Sequence, residues 1–242
     1  MKDGIYKVAA ATPHIRPGDC AGNADAIITL IGRAEKEGAN VLVLPELCVT
    51  GYTAGDLFLL DSLISGAEEA VDRIADFTAG KDVLVILGAP AMMRGKLYSA
   101  AFAIQRGRVL GIVPKKHVPN YAEFYEGRIF SEYDGENDFD DKLNCPFGGK
   151  LLFRQKNGPL VVAAEVCEDL WAPDSPSVEH ALSGALVICN PSASDETTAK
   201  ADYRRSLVSM QSAKLCCAYV YADAGRGEST TDTVYAGHNL IA

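Results

Sequence analysis

The amino-acid sequence predicts an α/β domain with a sheet that is covered on both faces. Many of its apolar segments lack the alternation of polar residues that a half-exposed strand would show. Segments with helical periodicity lie between some of these strands, and an alternation of strands and helices is typical of α/β folds. The length of 242 residues fits one such domain.

The predicted strands are short apolar segments distributed along the whole chain. Their length and their apolar character are those of strands buried in a core. They comprise residues 6–11, 41–45, 83–90, 98–105, 108–114, 151–153, 160–167, 185–192 and 217–224.

The predicted helices are longer segments in which apolar residues recur every three or four positions. They comprise residues 23–37, 62–77 and 200–216. Two stretches, residues 54–61 and 114–150, are irregular, and a long loop in a compact domain is commonly a lid or a binding loop. The chain ends at GHNLIA, which is typical of the interior of a strand. We therefore expect the sequence to be one domain of a longer protein.

The composition argues against nucleic acid and anionic membranes as partners. The net charge is −9, whereas both of these partners select for clustered Lys and Arg. The N-terminal segment lacks the apolar core of a signal peptide, and no apolar run approaches the ~20 residues that span a bilayer. We therefore expect a soluble protein in the cytoplasm.

The seven cysteines do not form a metal-binding pattern. Neither CxxC nor HExxH occurs in the sequence, and structural zinc sites favour paired ligands at short, fixed spacing. In a cytosolic protein we expect most of these thiols to be small buried hydrophobic groups. The sequence therefore predicts no metal site and argues against a zinc-dependent amidohydrolase.

Three chemically different side chains each follow a predicted strand. Glu46 comes after VLVLP, Lys115 after RVLGIVP, and Cys167 at the end of LVVAAEVC. Taken singly, Glu46 is better explained as a surface or capping carboxylate and Lys115 as a solvated lysine. A buried structural cysteine is the simplest explanation of Cys167, but it does not account for the residues around it. Active sites of α/β sheets gather at the carboxyl ends of strands. Together the three side chains therefore predict a base, an electrostatic partner and a nucleophile.

Cys167 needs the other two side chains if it is to react. Acidic neighbours such as Glu165 and Asp169 raise the pKa of a thiol and suppress the thiolate. Lys115 and Glu46 supply a cation and a base, and we expect Lys115 to favour the thiolate.

The sequence contains three segments that resemble the signature segments of the nitrilase superfamily: PELCVTGY, PKKHVPNYAEFYEGR and EVCEDLW. It resembles more narrowly the glutaminase domain of glutamine-dependent NAD synthetases, in NYAEFYEGR, CEDLW, NPSAS and YVYADAGRGESTTD. The resemblance covers nearly the whole chain, in order. It implies that residues 1–242 form one carbon–nitrogen hydrolase domain with a nitrilase-like four-layer αββα sandwich. The C-terminal synthetase domain of that family is absent from this chain.

The resemblance also implies roles for individual residues. Glu46, Lys115 and Cys167 match the general base, the lysine and the nucleophile of a Glu–Lys–Cys triad. Glu126 matches a second glutamate that helps to position the lysine and the substrate. The residues that would contact the substrate or line its pocket are Tyr121, Ser194, Lys200, Glu168 and Tyr52.

Two of these pocket assignments have a specific weakness. Lys200 stands where the family has an arginine, and a lysine offers positive charge without a bidentate fork. Tyr52 is explained equally well by packing beside Gly51.

The activity that the resemblance implies is hydrolysis of the side-chain amide of L-glutamine. Cys167 would form a thioester, with Lys115 and the backbone N–H of Glu168 stabilising the oxyanion. The ammonia would pass to the synthetase domain, which amidates deamido-NAD with ATP and Mg. The domain in this chain would need no metal or cofactor of its own, and we expect it to form homo-oligomers as the family does.

Two alternatives remain open at this point. Another nitrilase-type amidase, such as an ω-amidase or a carbamoylase, would keep the fold and the triad and differ in its acyl pocket. A non-catalytic regulatory domain of the same fold is the second alternative, and the intact triad argues against it. A His-dependent cysteine protease is disfavoured because the four histidines lie in no sequence typical of such a site.

Overall fold

A computed structural model describes residues 4–242 of the chain. Its strands are β1 (Val8–Ala10), β2 (Val41–Val43), β3 (Leu84–Met93), β4 (Lys96–Gln105), β5 (Arg108–Pro114), β6 (Asp138–Asp140), β7 (Cys145–Phe147), β8 (Phe153–Arg154), β9 (Val161–Ala164), β10 (Val187–Ser192), β11 (Ala218–Asp223) and β12 (Leu240–Ile241). Its helices are α1 (Cys20–Lys36), α2 (Asp61–Phe77), α3 (Ser177–Leu182) and α4 (Lys200–Leu215). Short 3₁₀ segments cover Tyr52–Leu59, Glu126–Arg128 and Cys167–Leu170.

The strands form two mixed sheets. The seven-stranded sheet has the order β1-β2-β3-β4-β5-β7-β6, in which β1, β2 and β3 are parallel and β4 is antiparallel to both β3 and β5. The five-stranded sheet has the order β12-β11-β10-β9-β8, with β9, β10 and β11 parallel. Strands β2 and β5 therefore run in the same direction, and the residues that follow them emerge at the same edge of the sheet.

The two sheets pack face to face, with helices on the outer face of each. Ile86 of the first sheet and Val162 of the second belong to the core between the sheets. Ile27 of α1 and Ile74 of α2 belong to the core on the outer face of the first sheet. Val208 of α4 belongs to the core on the outer face of the second sheet. This is the four-layer αββα sandwich predicted from the sequence, and it explains why the strands are apolar on both faces.

The main elements lie where the sequence predicts them, and the differences have local causes. Helix α1 begins earlier than predicted because the Asp19 carboxylate caps it, accepting a hydrogen bond from the Gly22 N–H at 2.9 Å. The prediction that residues 114–150 are irregular is wrong in part, since β6 and β7 extend the seven-stranded sheet there. Helix α3 was not predicted, because six residues are too few to show a helical repeat. No helix within residues 4–242 is long and apolar enough to cross a bilayer.

The packing of the two sheets leads to a stability prediction. Ile86 is fully buried between them, so Ile86→Ala should lower the free energy of unfolding by about 2–5 kcal/mol through lost burial and a new cavity. The control is Ile5→Ala, because Ile5 is 70% exposed and its truncation should cost less than about 0.5 kcal/mol. Urea denaturation measures both variants. Equal losses in the two would contradict the face-to-face packing.

Candidate active site

Strand ends bring the predicted catalytic side chains to one place. Glu46 follows β2 and Lys115 follows β5 in the seven-stranded sheet, whereas Cys167 follows β9 in the other sheet. The backbone N–H of Glu46 donates to the carbonyl of Ser192 on β10 at 3.2 Å and so links the two sheets. The backbone N–H of Lys115 donates to the carbonyl of Ser99 on β4 at 2.8 Å. Both side chains therefore start from backbone that the sandwich holds in place.

Lys115 lies between two carboxylates in a buried site. Its Nζ is 2.9 Å from Glu46 Oε1 and 2.8 Å from Glu126 Oε2. The side chains of Lys115 and Glu46 are 0% exposed, and that of Glu126 is 6% exposed. A buried ammonium needs such partners to offset the loss of its hydration. The three side chains therefore form one ionic cluster.

The protonation states of this cluster follow from burial and charge. Burial disfavours the ammonium of Lys115, but Glu126 and Glu46 outweigh it and hold the pKa of Lys115 well above its usual range. Burial raises the pKa of Glu126 to about 7, against the opposing effect of Lys115. Near neutral pH, Lys115 is therefore charged, whereas Glu126 is divided between its two forms.

Glu46 has one oxygen that is fixed and one that is free. Its Oε1 accepts hydrogen bonds from Lys115 Nζ at 2.9 Å and from Ser99 Oγ at 2.8 Å. Its Oε2 is buried and has no hydrogen-bond partner among residues 4–242. A buried acceptor without a partner calls for an explanation. A free carboxylate oxygen, held in place by its neighbour, is what a general base requires.

Cys167 begins a 3₁₀ turn with an unusual backbone conformation. Its φ is +43°, in the left-handed region that residues other than glycine rarely adopt. Its backbone N–H donates to Asn190 Oδ1 at 3.0 Å, and the residue is 7% exposed. Backbone strain of this kind persists only where the surroundings fix it, and it is found most often at active sites.

The Cys167 thiol is neutral in the resting site. Burial raises its pKa well above the usual range, Glu46 raises it further, and Lys115 offsets only part of this. Lys115 does favour the thiolate, as expected, but burial and Glu46 outweigh its effect in the resting site. Attack by this thiol would require the loss of its proton, and Glu46 is a carboxylate near enough to raise the pKa of the thiol.

Asp169 joins the nucleophile turn to the segment that follows the lysine. Its Oδ2 accepts from the backbone N–H of Val166 at 2.9 Å. Its Oδ1 accepts from the backbone N–H groups of Lys116 at 3.1 Å and His117 at 2.8 Å. Asp169 is buried, and burial raises its pKa to about 8. The carboxylate therefore ties the residue before Cys167 to the residues after the lysine.

Three of the predicted pocket residues lie around this cluster. Tyr52 OH donates to Glu126 Oε1 at 2.7 Å, so this tyrosine is bound to the site and does more than pack beside a glycine. Tyr121 OH donates to Glu168 Oε1 at 2.9 Å, and Tyr121 is 56% exposed. Their contact with a substrate stays a prediction.

The other two predicted pocket residues are engaged with their own neighbours. The Lys200 ammonium pairs with the Asp195 carboxylate, so its charge is not free for a substrate carboxylate. Ser194 is buried, and its Oγ accepts from Arg204 Nη2 at 3.1 Å. Arg204 is fully buried and also donates to the carbonyl of Asp195 at 2.9 Å. Their role in binding also stays a prediction.

A cavity of 240 Å³ opens beside the cluster, with Glu126 and Tyr52 in its wall. Phe124 and Tyr125, from the segment after Lys115, also line it. Its described wall does not include Glu46, Lys115 or Cys167, so Glu126 joins this cavity to the ionic cluster. The segment after the lysine therefore borders a pocket.

Sequence reasoning missed several residues that support the site. Ser99, Asn190 and Arg204 were not singled out. The signal for Asn190 is a polar side chain inside the apolar strand β10, because a buried amide must find hydrogen-bond partners. The sequence around Ser99 and Arg204 carries no comparable signal.

Comparison with known proteins identifies the family. The family model described as carbon–nitrogen hydrolase matches residues 7–242. This chain belongs to the carbon–nitrogen hydrolase family. The resemblance inferred from the three signature segments is thereby confirmed.

The relatives of this carbon–nitrogen hydrolase domain are longer proteins. The glutamine-dependent NAD(+) synthetase of Mycobacterium bovis is 40% identical over 241 residues, which cover 98% of this chain and 36% of that protein. The crystal structure of a glutamine-dependent NAD(+) synthetase from Cytophaga hutchinsonii matches with a TM-score of 0.86 and 31% identity, over 98% of this chain and 39% of that one. An amidase from Nesterenkonia sp. matches with a TM-score of 0.78 over 100% of this chain and 84% of that one. At 17% identity this last match shows the fold alone.

The raised pKa of Cys167 predicts how the thiol responds to pH. Labelling of Cys167 by a small alkylating reagent should still be accelerating at pH 9, because its pKa lies well above the ordinary 9.0 of a thiol. Glu46→Gln should move this profile to lower pH, since it removes a negative charge that raises the pKa.

Mass spectrometry after brief labelling locates and quantifies the modified cysteine. The exposed Cys216 is a control in the same molecule, and its labelling should be unchanged by Glu46→Gln. A Cys167 profile that levels off near neutral pH would mean that the resting thiol is already ionised.

Proposed function

We propose that this chain hydrolyses the side-chain amide of L-glutamine to glutamate and ammonia through a thioester on Cys167. The observation that carries the proposal is the arrangement of Glu46, in which one oxygen is fixed by Lys115 and the other is buried without a partner. A base, an ammonium and a thiol are thereby combined in one buried site, as nucleophilic catalysis requires.

The first half of the reaction forms the thioester. Glu46 Oε2 takes the thiol proton while the sulfur of Cys167 attacks the amide carbon. The amide oxygen becomes negatively charged, and the Lys115 ammonium stabilises it together with the backbone N–H of Glu168. The N–H of Cys167 itself is committed to Asn190. Glu46 then returns the proton to the nitrogen, the C–N bond breaks, and ammonia leaves.

The second half of the reaction releases glutamate. Glu46 removes a proton from a water molecule, and the resulting hydroxide attacks the thioester carbon. The C–S bond breaks, and the sulfur of Cys167 recovers the proton from Glu46. Each step uses only groups of this chain and water, so we propose that the domain needs no metal or organic cofactor.

The relatives support glutamine as the amide and a synthesis reaction as the destination of the ammonia. Proteins related over 98% of this chain are glutamine-dependent NAD(+) synthetases, and this chain spans 36% of the length of the one from Mycobacterium bovis. We propose that a C-terminal synthetase domain uses the ammonia to amidate deamido-NAD, with ATP and Mg bound there. The cytoplasmic location and the homo-oligomer stay predictions.

Hydrolysis of glutamine by the 242-residue chain is the direct test. We expect ammonia release from glutamine that is abolished in Cys167→Ala and retained in Cys216→Ala, the exposed control cysteine. ATP and deamido-NAD should not change the rate, because we place both of their sites in the synthetase domain. If the chain cleaves an ω-amide of a keto acid or a carbamoyl compound faster than glutamine, that compound is its substrate in place of glutamine. A chain with a reactive Cys167 that cleaves none of these amides would be a regulatory domain.

The two ionisation states of Glu126 lead to a further prediction. If ionised Glu126 positions Lys115, turnover of glutamine should fall as the pH drops through about 7, where Glu126 takes up a proton. Glu126→Gln should lower turnover by about tenfold or more, since Lys115 would then bind Glu46 more tightly and draw it away from the thiol. The variant should also lack this acid limb of the pH profile.

The melting temperature of Glu126→Gln should be nearly unchanged, because the amide keeps the size of the carboxyl group and an oxygen that accepts from Lys115. The exposed Glu132 gives the control Glu132→Gln, which should retain both the turnover and the acid limb. Wild-type turnover in Glu126→Gln would remove Glu126 from the catalytic set.

A further inference from the structure

A chain of buried hydrogen bonds leads from the backbone of Cys167 into the second sheet. The N–H of Cys167 donates to Asn190 Oδ1 at 3.0 Å. The other end of the same amide, Asn190 Nδ2, donates to Tyr219 OH at 2.9 Å. The Tyr219 hydroxyl in turn donates to Glu165 Oε1. Asn190, Tyr219 and Glu165 are all fully buried.

The direction of these hydrogen bonds is fixed from the backbone of Cys167. A backbone N–H can only donate, so Asn190 must present its oxygen to Cys167 and its NH₂ group to Tyr219 OH. At the other end, Glu165 Oε2 accepts from the backbone N–H of Ser177 at 2.7 Å, and its Oε1 faces the Tyr219 hydroxyl. Tyr219 therefore gives its proton to Glu165 and offers its oxygen to the NH₂ group of Asn190.

We propose that Glu165, Tyr219 and Asn190 are positioning residues that orient the nucleophile of the reaction proposed above, on which this inference rests. Glu165 sets the direction of the Tyr219 hydroxyl, and the hydroxyl sets the orientation of the Asn190 amide. The amide oxygen then holds the N–H of Cys167 in the left-handed conformation that aims its sulfur.

The three residues contact the nucleophile turn from the side of the second sheet. None of them lies in the described wall of the 240 Å³ cavity beside Glu126. Glu165 lines a second cavity, of 620 Å³, together with Asp169. The hydrogen bond from the backbone N–H of Cys167 to Asn190 is therefore the link through which we place their effect on the nucleophile.

Glu165→Gln should reverse the whole chain of hydrogen bonds. The new NH₂ group cannot face the N–H of Ser177, because two donors would meet there, so it must face Tyr219. The Tyr219 proton then keeps a partner only if it turns towards Asn190 and Asn190 turns its oxygen towards Tyr219, since a buried donor left unpaired is costly. This places an NH₂ group against the N–H of Cys167, and the nucleophile loses its anchor.

Tyr219→Phe should rescue that variant. Without the hydroxyl, the reversal is not transmitted, and Asn190 can again turn its oxygen to Cys167. A merely structural role of Glu165 and Tyr219 predicts no rescue, because removal of the hydroxyl would only leave further buried polar groups without a partner. The sign of the coupling between the two substitutions therefore decides the question.

The experiment measures alkylation of Cys167 by chloroacetamide in the 242-residue chain, by mass spectrometry at one fixed pH. We expect Glu165→Gln to slow the labelling by about tenfold or more, as a misplaced reacting atom does. Tyr219→Phe alone should have a smaller effect, and the double variant should label faster than Glu165→Gln. The exposed Glu179 on α3 supplies the matched control Glu179→Gln, which should label like the wild type.

A double variant that labels as slowly as Glu165→Gln, or more slowly, overturns the proposal. If Glu165→Gln does not fold, Asn190→Ala replaces it. In that background Tyr219→Phe should have no further effect on labelling, and a further loss would contradict the proposal. Chloroacetamide labelling needs only a thiol and not glutamine hydrolysis. If the double variant labels faster than Glu165→Gln but the wild type does not hydrolyse glutamine, only the proposed function is rejected. If the wild type hydrolyses glutamine but the double variant shows no such rescue, only the positioning role is rejected.

Discussion

The buried pairing of Lys115 with Glu46 and Glu126 is the interaction on which the rest of the site depends. Removing an ammonium from water is costly, and here two carboxylates at 2.8 and 2.9 Å offset that cost. The pairing holds Lys115 charged, fixes one oxygen of Glu46, and leaves its other oxygen without a partner. Burial keeps the Cys167 thiol neutral at rest, and the negative charge of Glu46 adds to this effect. Burial and one ionic cluster thus set the protonation states of the site together.

The nucleophile needs a second constraint, because its backbone conformation is unfavourable in isolation. Cys167 has a φ of +43°, which only a rigid environment maintains. Asn190 binds its N–H from β10, and Asp169 binds the preceding N–H of Val166 and the segment after Lys115. The first sheet thus supplies the charges and the second sheet supplies the strained turn. The face-to-face packing of the sheets joins these two parts.

Most of the fold and the principal site residues could be predicted from the sequence, for a physical reason. Strands buried on both faces leave unbroken apolar segments, and polar side chains that follow such segments lie at a sheet edge, as Glu46 and Lys115 do. Short elements such as β6 and α3 have too few residues to show a periodic pattern of apolar positions. The relay through Asn190 could not be predicted either, because its partners come from separate strands. The raised pKa of the Cys167 thiol depends on how deeply the thiol is buried, and the sequence alone does not show that depth.

A neutral thiol and a fully paired lysine suit a site whose charges act mainly in the transition state. At rest, the charge of Lys115 is already satisfied by Glu46 and Glu126, so little of its attraction is available to an uncharged amide oxygen. In the reaction that we propose, Glu46 takes the proton of Cys167 and so loses its negative charge as the oxyanion forms. Lys115 then exchanges one anionic partner for another, and its interaction with the reacting oxygen is strong only in the transition state. This is the differential binding that lowers a barrier, and it follows from having a base and an electrostatic stabiliser that share one hydrogen bond.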